Sequence, residues 1–389
     1  MSEDTVPQPV RMVPTPGRVS VVIVSWNSGR FLPGCLDSLS KQTLPPYEVV
    51  VVDNGSTDSS VRIVRRHAPS ATVIPLGENT GYCRANNEGF ARCRGDAVLF
   101  LNPDVVLDPA FLAEAVRPFD SAERIGSVSG KLLRFDAETL DSAGQCLSRS
   151  RRIVERGYGR PDEGQFERGG YIFSVCGAAA LYRRLALEDV TDGQELFDTD
   201  FFTFSEDIDL GWRARNAGWR AWYEPRAVGR HFRGGTAAAA GVFSSRAAML
   251  RRPAELRYHI LKNRYLMLIK NDRPAHILRD LRFIAPREVA LAALAVASGP
   301  RVLGRLALCG ALLGRALRKR RDFLAEQGVW GKRRCGLPAA WAGERLLDEG
   351  SLPRPQDTPL PARRRAEGSS PPSAPSADFG SGERPEKAP

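Results

Sequence analysis

EVVVVDNGSTDSS, residues 48–60, is the stretch that decides the fold. Four consecutive valines read as a strand buried on both faces, which is how strands of parallel sheets read. The run stops at Asp53-Asn54-Gly55-Ser56, and a helix is expected to follow as far as His67. The pattern repeats on either side. VSVVIV (19–24) is another doubly buried run, followed by a helix over 30–39 with apolar Phe31, Cys35, Leu36 and Leu39. Residues 72–76 read as a strand and 81–93 as a helix. AVLFL (97–101) is a fourth strand, ending at Asn102-Pro103-Asp104. Strands alternating with helices imply βαβ units and a doubly wound α/β sheet. Ligands of such sheets bind beyond the carboxyl ends of strands. Asn27, Asp53 and Asp104 all fall there.

Residues 120–195 are less regular and mix strands with loops. A second cluster runs from Phe197 to Gly235, with a helix expected over 208–217. ELRYHILKNRYLMLIK (255–270) reads as a basic, aromatic-rich helix. Residues 289–317 are mostly apolar, but Arg301, Arg305 and Arg315 interrupt them and Pro300 splits them. A spanning helix needs about 20 apolar residues, so an interfacial or internally packed helical pair is expected instead. The organisation expected is a disordered lead (1–17), an α/β domain (18–245), a basic, partly amphipathic helical region (246–345) and a disordered Pro- and Ser-rich tail (346–389).

The formal net charge is +11. The excess sits in residues 246–334, which hold 21 Lys and Arg against 6 Asp and Glu. Such a block suits an anionic partner. It alternates with Leu and Ala rather than with aromatic stacking platforms, so an acidic membrane surface is expected and nucleic acid is not. Seven cysteines, with no CxxC pair, argue against a disulfide framework and a structural zinc site. The first residues hold no apolar h-region, so the expected location is the cytoplasm, at the inner face of the membrane.

Several residues can carry chemistry. Asp53 ends the second strand, where an acid reaches the ribose or base of a nucleotide; Asp-Asn-Gly-Ser is equally good turn chemistry. Asn102-Pro103-Asp104 offers a carboxylate beside an amide, a hard oxygen site suited to Mg²⁺ or Mn²⁺, or a plain turn. Glu206, Asp207 and Asp209 open the helix that carries Trp212 and Arg213. Acids are favoured in a first turn by the helix dipole, but three in four residues exceed what a cap requires. Asp207 is the expected general base. His231, in GRHFRGG (229–235), can bring an imidazole to a metal.

Together these stretches resemble the family 2 inverting glycosyltransferases, which have the GT-A fold, and among them the rhamnosyltransferase-like subgroup. The likeness is carried by VSVVIVSWNSGRFLPGCLDSL (19–39), VVVVDNGSTDSS (49–60), GENTGYCRANNEGF (77–90), VLFLNPDVVL (98–107), VCGAAALYRR (175–184), FSEDIDLGWRARNAGW (204–219) and GRHFRGGT (229–236).

The resemblance implies a role for each residue. Ser25 and Asn27 line the nucleotide pocket, Asp53 holds base or ribose, and Asn79, Gly81 and Asn86 lie near the donor. Asp104 is the metal ligand of a DxD-type motif whose first position is here Asn102, placed on the donor side. Asp207 is the base, with Glu206 beside the acceptor, and His231 is a further metal ligand. Cys176, Gly177, Ala178 and Trp212 face the acceptor. The implied partners are a UDP- or dTDP-type sugar donor and a glycan or lipid-linked acceptor, with rhamnose as one candidate sugar, in cell-surface polysaccharide synthesis. Two other readings compete. A sugar-nucleotide nucleotidyltransferase would want a glycine-rich basic loop after the first strand, where Ser25-Trp26-Asn27-Ser28-Gly29 has one glycine. A non-catalytic nucleotide-sugar binder would not need every polar group kept.

Overall fold

The strands form as the valine runs require. In the computed structural model, which describes residues 17–120, 124–191, 195–233 and 249–334, β1 (Val19–Ser25) is buried along its whole length. Val22 and Val24 face one core while Val21 and Ile23 face another, so helices cover both faces of the sheet. β2 (Glu48–Asp53) and β4 (Ala97–Leu101) flank β1 in parallel, and β3 (Thr72–Pro75) lies outside β2. The connecting helices are α1 (Leu32–Ser40), α2 (Ser60–His67) and α3 (Tyr82–Phe90). Each lies within a few residues of its expected span.

Beyond β4 the sheet becomes mixed. β5 (Val105–Leu107) and α4 (Phe111–Val116) lead into β6 (Ile125–Arg134). The short strands β7 (Leu140–Ser142), β8 (Gln145–Leu147), β9 (Ile153–Glu155) and β10 (Gly170–Ile172) precede β11 (Ala179–Arg183). After α5 (Arg184–Glu188) and α6 (Glu206–Asn216) comes β12 (Arg220–His231). The main path is β10-β12-β6-β11-β4-β1-β2-β3, with β11 antiparallel to β4. The result is a mixed α/β sheet, parallel through β3-β2-β1-β4 and antiparallel where β11 joins it.

The C-terminal helices are α7 (Ala254–Asn271), α8 (Pro274–Ala297), α9 (Pro300–Ala307) and α10 (Gly310–Arg334). The expected 255–270 helix is α7. The expected lead (apart from Gly17), the tail, and Gly234 and Gly235 lie outside the described residues.

The expected boundary near 246 is crossed by buried charge. Lys270 on α7 donates to Asp198 Oδ2 at 2.6 Å and Asp209 Oδ2 at 2.9 Å. Asn271 Nδ2 and Arg213 Nε also donate to Asp209, at 2.8 and 2.9 Å. Lys319 on α10 donates to Asp198 Oδ1 at 2.6 Å. These cations outweigh burial and hold Asp198 and Asp209 below the ordinary carboxylate range. Part of the positive excess of 246–334 therefore neutralises acids of the α/β domain.

α7 also clamps the turn before α6. Phe202, Phe204 and Ser205 have φ of 67°, 68° and 67°, a left-handed conformation costly for such side chains. The buried Asn263 Nδ2 donates to the carbonyls of Phe201, Thr203 and Phe204 at 3.1, 2.6 and 2.7 Å. Those bonds hold the strained turn, and the turn sets where α6 begins.

Candidate active site

Asp104 follows β4, and the pairing of β5 with β12 sets His231 opposite Val105. Phe232 N–H donates to Asp104 O at 2.9 Å, locking the two segments together. The result brings His231 Nε2 to 3.4 Å from Asp104 Oδ1, without hydrogen-bond alignment. His231 Nδ1 lies 2.8 Å from Asp141 Oδ2. An ionised carboxylate only accepts, so Nδ1 carries the proton. Arg233 holds Asp141 from the other side. Burial pushes the His231 pKa down, but Asp104 and Asp141 outweigh it and raise it to about 9.

This donor set fits one divalent cation. Nε2 and a carboxylate oxygen 3.4 Å apart can share an ion with bonds of about 2.1 Å. The carboxylate behind the ring is the usual partner of a ligating histidine. Among the described residues no three His, Cys, Asp or Glu side chains are grouped so as to hold a metal ion between them. Asp141→Asn is expected to weaken Mn²⁺ affinity by about 10–100-fold. Mn²⁺ titration followed by electron paramagnetic resonance measures it, and unchanged affinity would remove Asp141 from the site.

The carboxyl ends of β1 and β2 form the adjoining wall. Ser25 pairs in register with Asp53, and both are buried. Ser25 Oγ is buried without a hydrogen-bond partner, so it is available to a ligand. Asp53 Oδ1 accepts from Ser56 N–H at 3.4 Å. Other expected donor residues shape the wall. Asn27 Oδ1 accepts from Thr57 N–H at 2.8 Å, tying the β1 loop to the β2 loop. Asn79 Oδ1 accepts from Asn54 Nδ2 and Gly81 N–H. Gly81 has φ +87°, and a Cβ there would meet the Phe202 ring at 2.5 Å. Asn86 is buried and donates to Tyr82 O within its own helix. Asn102 Oδ1 accepts from Tyr82 Oη at 3.1 Å.

The base end is built on α6. Asp207 is partly open to solvent. Its Oδ2 accepts from Gln145 Nε2 at 2.9 Å and Gly177 N–H at 3.2 Å, and its Oδ1 from Ile208 N–H at 2.8 Å. Burial nonetheless raises its pKa. Glu206 is pushed up to about 8, by burial first and Asp207 second. Gln145 Nε2 also donates to Glu155 Oε1 at 2.8 Å, and burial raises Glu155 to about 7. Gly177 must be small here, since a Cβ would sit 3.0 Å from the Asp207 carboxylate.

One loop joins the two ends. Gly177 N–H bonds the Asp207 carboxylate, while the next residue, Ala178, accepts from Asn102 N–H at 2.9 Å. Asp207 and the Asn102–Asp104 turn are thus bonded to consecutive residues of the 176–178 loop. Cys176 is buried among Glu155, Asp141 and Arg233. Trp212, expected at the acceptor, lies elsewhere: it is 1% exposed and packs edge-on against Phe173 in the core. Five residues along a helix turn a side chain about 140° away from Asp207.

Sequence reasoning missed Asp141, which bonds His231, Arg233, which bonds Asp141, Gln145, which bonds Asp207, and Glu155, which bonds Gln145. The model for glycosyl transferase family 2 matches residues 20–191. Residues 20–191 form a family 2 glycosyltransferase domain. Among relatives of this family, the N-acetylglucosaminyl-diphospho-decaprenol L-rhamnosyltransferase of Mycobacterium tuberculosis is 29% identical over 239 residues, 54% of this chain and 75% of that one. The glycosyltransferase YwdF of Bacillus subtilis, itself uncharacterised, is 32% identical over 190 residues, 48% of this chain and 66% of that one. The structure of GalNAc-T7 with UDP, GalNAc and Mn²⁺ shares the fold, with TM-score 0.54 at 15% identity, over 85% of this chain and 58% of that one.

Proposed function

We propose that this transferase moves a sugar, with inversion, from a UDP- or dTDP-type donor to a lipid-linked or nascent glycan, with rhamnose as the leading sugar. The observation that carries the reading is the loop 176–178, which ties the Asp207 carboxylate to the Asn102–Asp104 turn facing His231. Asp104 and His231 would hold Mg²⁺ or Mn²⁺, which when bound supplies positive charge to the leaving diphosphate. Ser25 and Asp53 receive the nucleoside. Asp207 takes the proton of the acceptor hydroxyl as that oxygen attacks the anomeric carbon. Gln145 and Gly177 aim its carboxylate. The relative from Mycobacterium tuberculosis is named for a lipid-diphosphate acceptor and rhamnose, which supports both choices.

A panel of nucleotide sugars with a prenyl-diphosphate-linked glycan tests the reading. Release of nucleoside diphosphate and a product of inverted anomeric configuration by NMR are expected. A product of retained configuration, or pyrophosphate release from a nucleoside triphosphate and sugar phosphate, would overturn it.

The C-terminal helices support a membrane contact at the inner face. Leu278, Leu281, Val289 and Val296 form an exposed stripe along α8, and Leu303 and Leu308 continue it. Arg282 and Arg301 are exposed among them. α8 and α9 together are apolar enough to enter a bilayer but bend by 120°, and among the described residues no single helix is long and apolar enough to cross one. An apolar stripe studded with arginine suits the surface of an anionic bilayer. Sedimentation with phosphatidylglycerol vesicles is expected, weakening in high salt, and Leu278→Glu with Val289→Glu should abolish it. Equal binding by that double variant would remove the stripe from the interface.

A further inference from the structure

The β8–β9 hairpin stands beside the base. Gln145 and Glu155 are cross-strand partners in it, so their side chains are neighbours. One nitrogen, Gln145 Nε2, donates to Glu155 Oε1 at 2.8 Å and to Asp207 Oδ2 at 2.9 Å. Gln145 is 3% exposed, and its Oε1 is buried without a hydrogen-bond partner. The direction of that amide is therefore set from its nitrogen side alone. Its two hydrogens meet two carboxylates, and turning the amide over would set Oε1 against both.

Glu155 is itself held in place. Its Oε2 accepts from Ser142 Oγ while Oε1 accepts from Gln145, so both oxygens accept, as in the ionised form. The hairpin is fixed on two sides. Gln145 N–H donates to Ser174 O at 2.9 Å, and Phe173 N–H donates to Gln145 O at 3.0 Å. In the turn between the two strands, Arg151 is 2% exposed and donates to Asp272 Oδ2 at 2.6 Å and to Asp280 Oδ2 at 2.9 Å. Asp272 caps the end of α7 and Asp280 lies on α8, so the C-terminal helices brace the hairpin from behind.

We propose that Glu155 is a positioning residue for the base: its carboxylate fixes the Gln145 amide so that Nε2 points at Asp207. This rests on the reading of Asp207 as the base of the transferase. Without Glu155 the amide is free to turn, and Asp207 Oδ2 keeps only the Gly177 N–H of its two donors. A carboxylate that swings is less often aligned with the acceptor hydroxyl, so the loss falls on turnover and not on donor binding.

The test measures transfer by the full chain from UDP- and dTDP-sugars to a prenyl-diphosphate-linked glycan, with melting curves on the same samples. Glu155→Met and Gln145→Met should each lower kcat by about 10–100-fold, the scale on which a misplaced reacting group loses rate. KM for the donor should change little. The double variant should be no slower than Gln145→Met, because both residues act through one bond. Glu155→Gln keeps the size of the side chain but presents nitrogen as readily as oxygen, so it should melt near wild type and still lose kcat several-fold. Wild-type kcat in Glu155→Gln, losses that multiply in the double variant, or a donor KM that rises as much as kcat falls would overturn the proposal and leave Glu155 a part of the framework only. Asp207→Asn in the same assay separates the two readings. If it stays active, the base assignment fails and this inference with it; if it is inactive while Glu155→Met and Gln145→Met keep wild-type kcat, this inference alone fails.

Discussion

Asp207→Asn is expected to lower kcat by on the order of 10²–10⁴ while donor affinity stays within a few-fold. The amide is nearly isosteric, and its oxygen can still accept from Gln145 and Gly177. What it cannot do is take a proton. Burial raises the Asp207 pKa, and the adjacent Glu206, at about 8, stays largely protonated at neutral pH. Turnover should rise with pH on its acid limb, with a midpoint above the ordinary carboxylate range, because the base works only when ionised. The effect on stability has the opposite sign. Raised folded-state values mean the folded form holds these protons more tightly, so their contribution to stability falls as pH climbs from about 4.5 through 8. Asn at 207 removes one such charge, and melting in alkaline buffer should not fall. Stopped assays of transfer, with melting curves on the same samples, measure both. An Asp207→Asn enzyme with kcat within threefold of wild type would remove the base assignment.

Lys270→Met is expected to cost about 3–5 kcal/mol of stability, because it strips one partner from a buried charge network. Lys270 is 8% exposed and bonds both Asp198 and Asp209. Lys319 and Arg213 remain, but each reaches only one of the two acids. Asp209 lies two residues after Asp207, and so α7 holds the helix that carries Asp207. kcat should fall with stability while KM for the donor changes little, since the nucleotide wall belongs to β1 and β2. Urea unfolding gives the first quantity and initial rates give the second. A loss below about 1 kcal/mol would show that the network is not holding α7 to α6.

Much of the fold could be read from the sequence because β1, β2 and β4 are apolar on both faces, leaving no alternation to confuse them with exposed strands. The polar residues just past their ends were legible for the same reason. The mixed half was harder. β7, β8 and β9 have three residues each, too short to show a period. Asp141, Gln145 and Glu155 sit on those strands, and nothing in LDS, QCL or IVE marks them as partners of His231 and Asp207. Their roles arise from tertiary pairing across more than sixty residues, as in the Gln145–Asp207 bond. Trp212 was misplaced by proximity: it shares a helix with the base but points into the core.

The central claim is that Asp104 and His231 hold a cation for the donor diphosphate in the cleft served by Asp207. Calorimetric titration of UDP and dTDP, in Mn²⁺ and in EDTA, into wild type, His231→Ala and Asp207→Asn tests it most directly. Mn²⁺-dependent binding in wild type, its loss in His231→Ala and its retention in an inactive Asp207→Asn is the result expected. Binding that ignores Mn²⁺ and survives His231→Ala would contradict it.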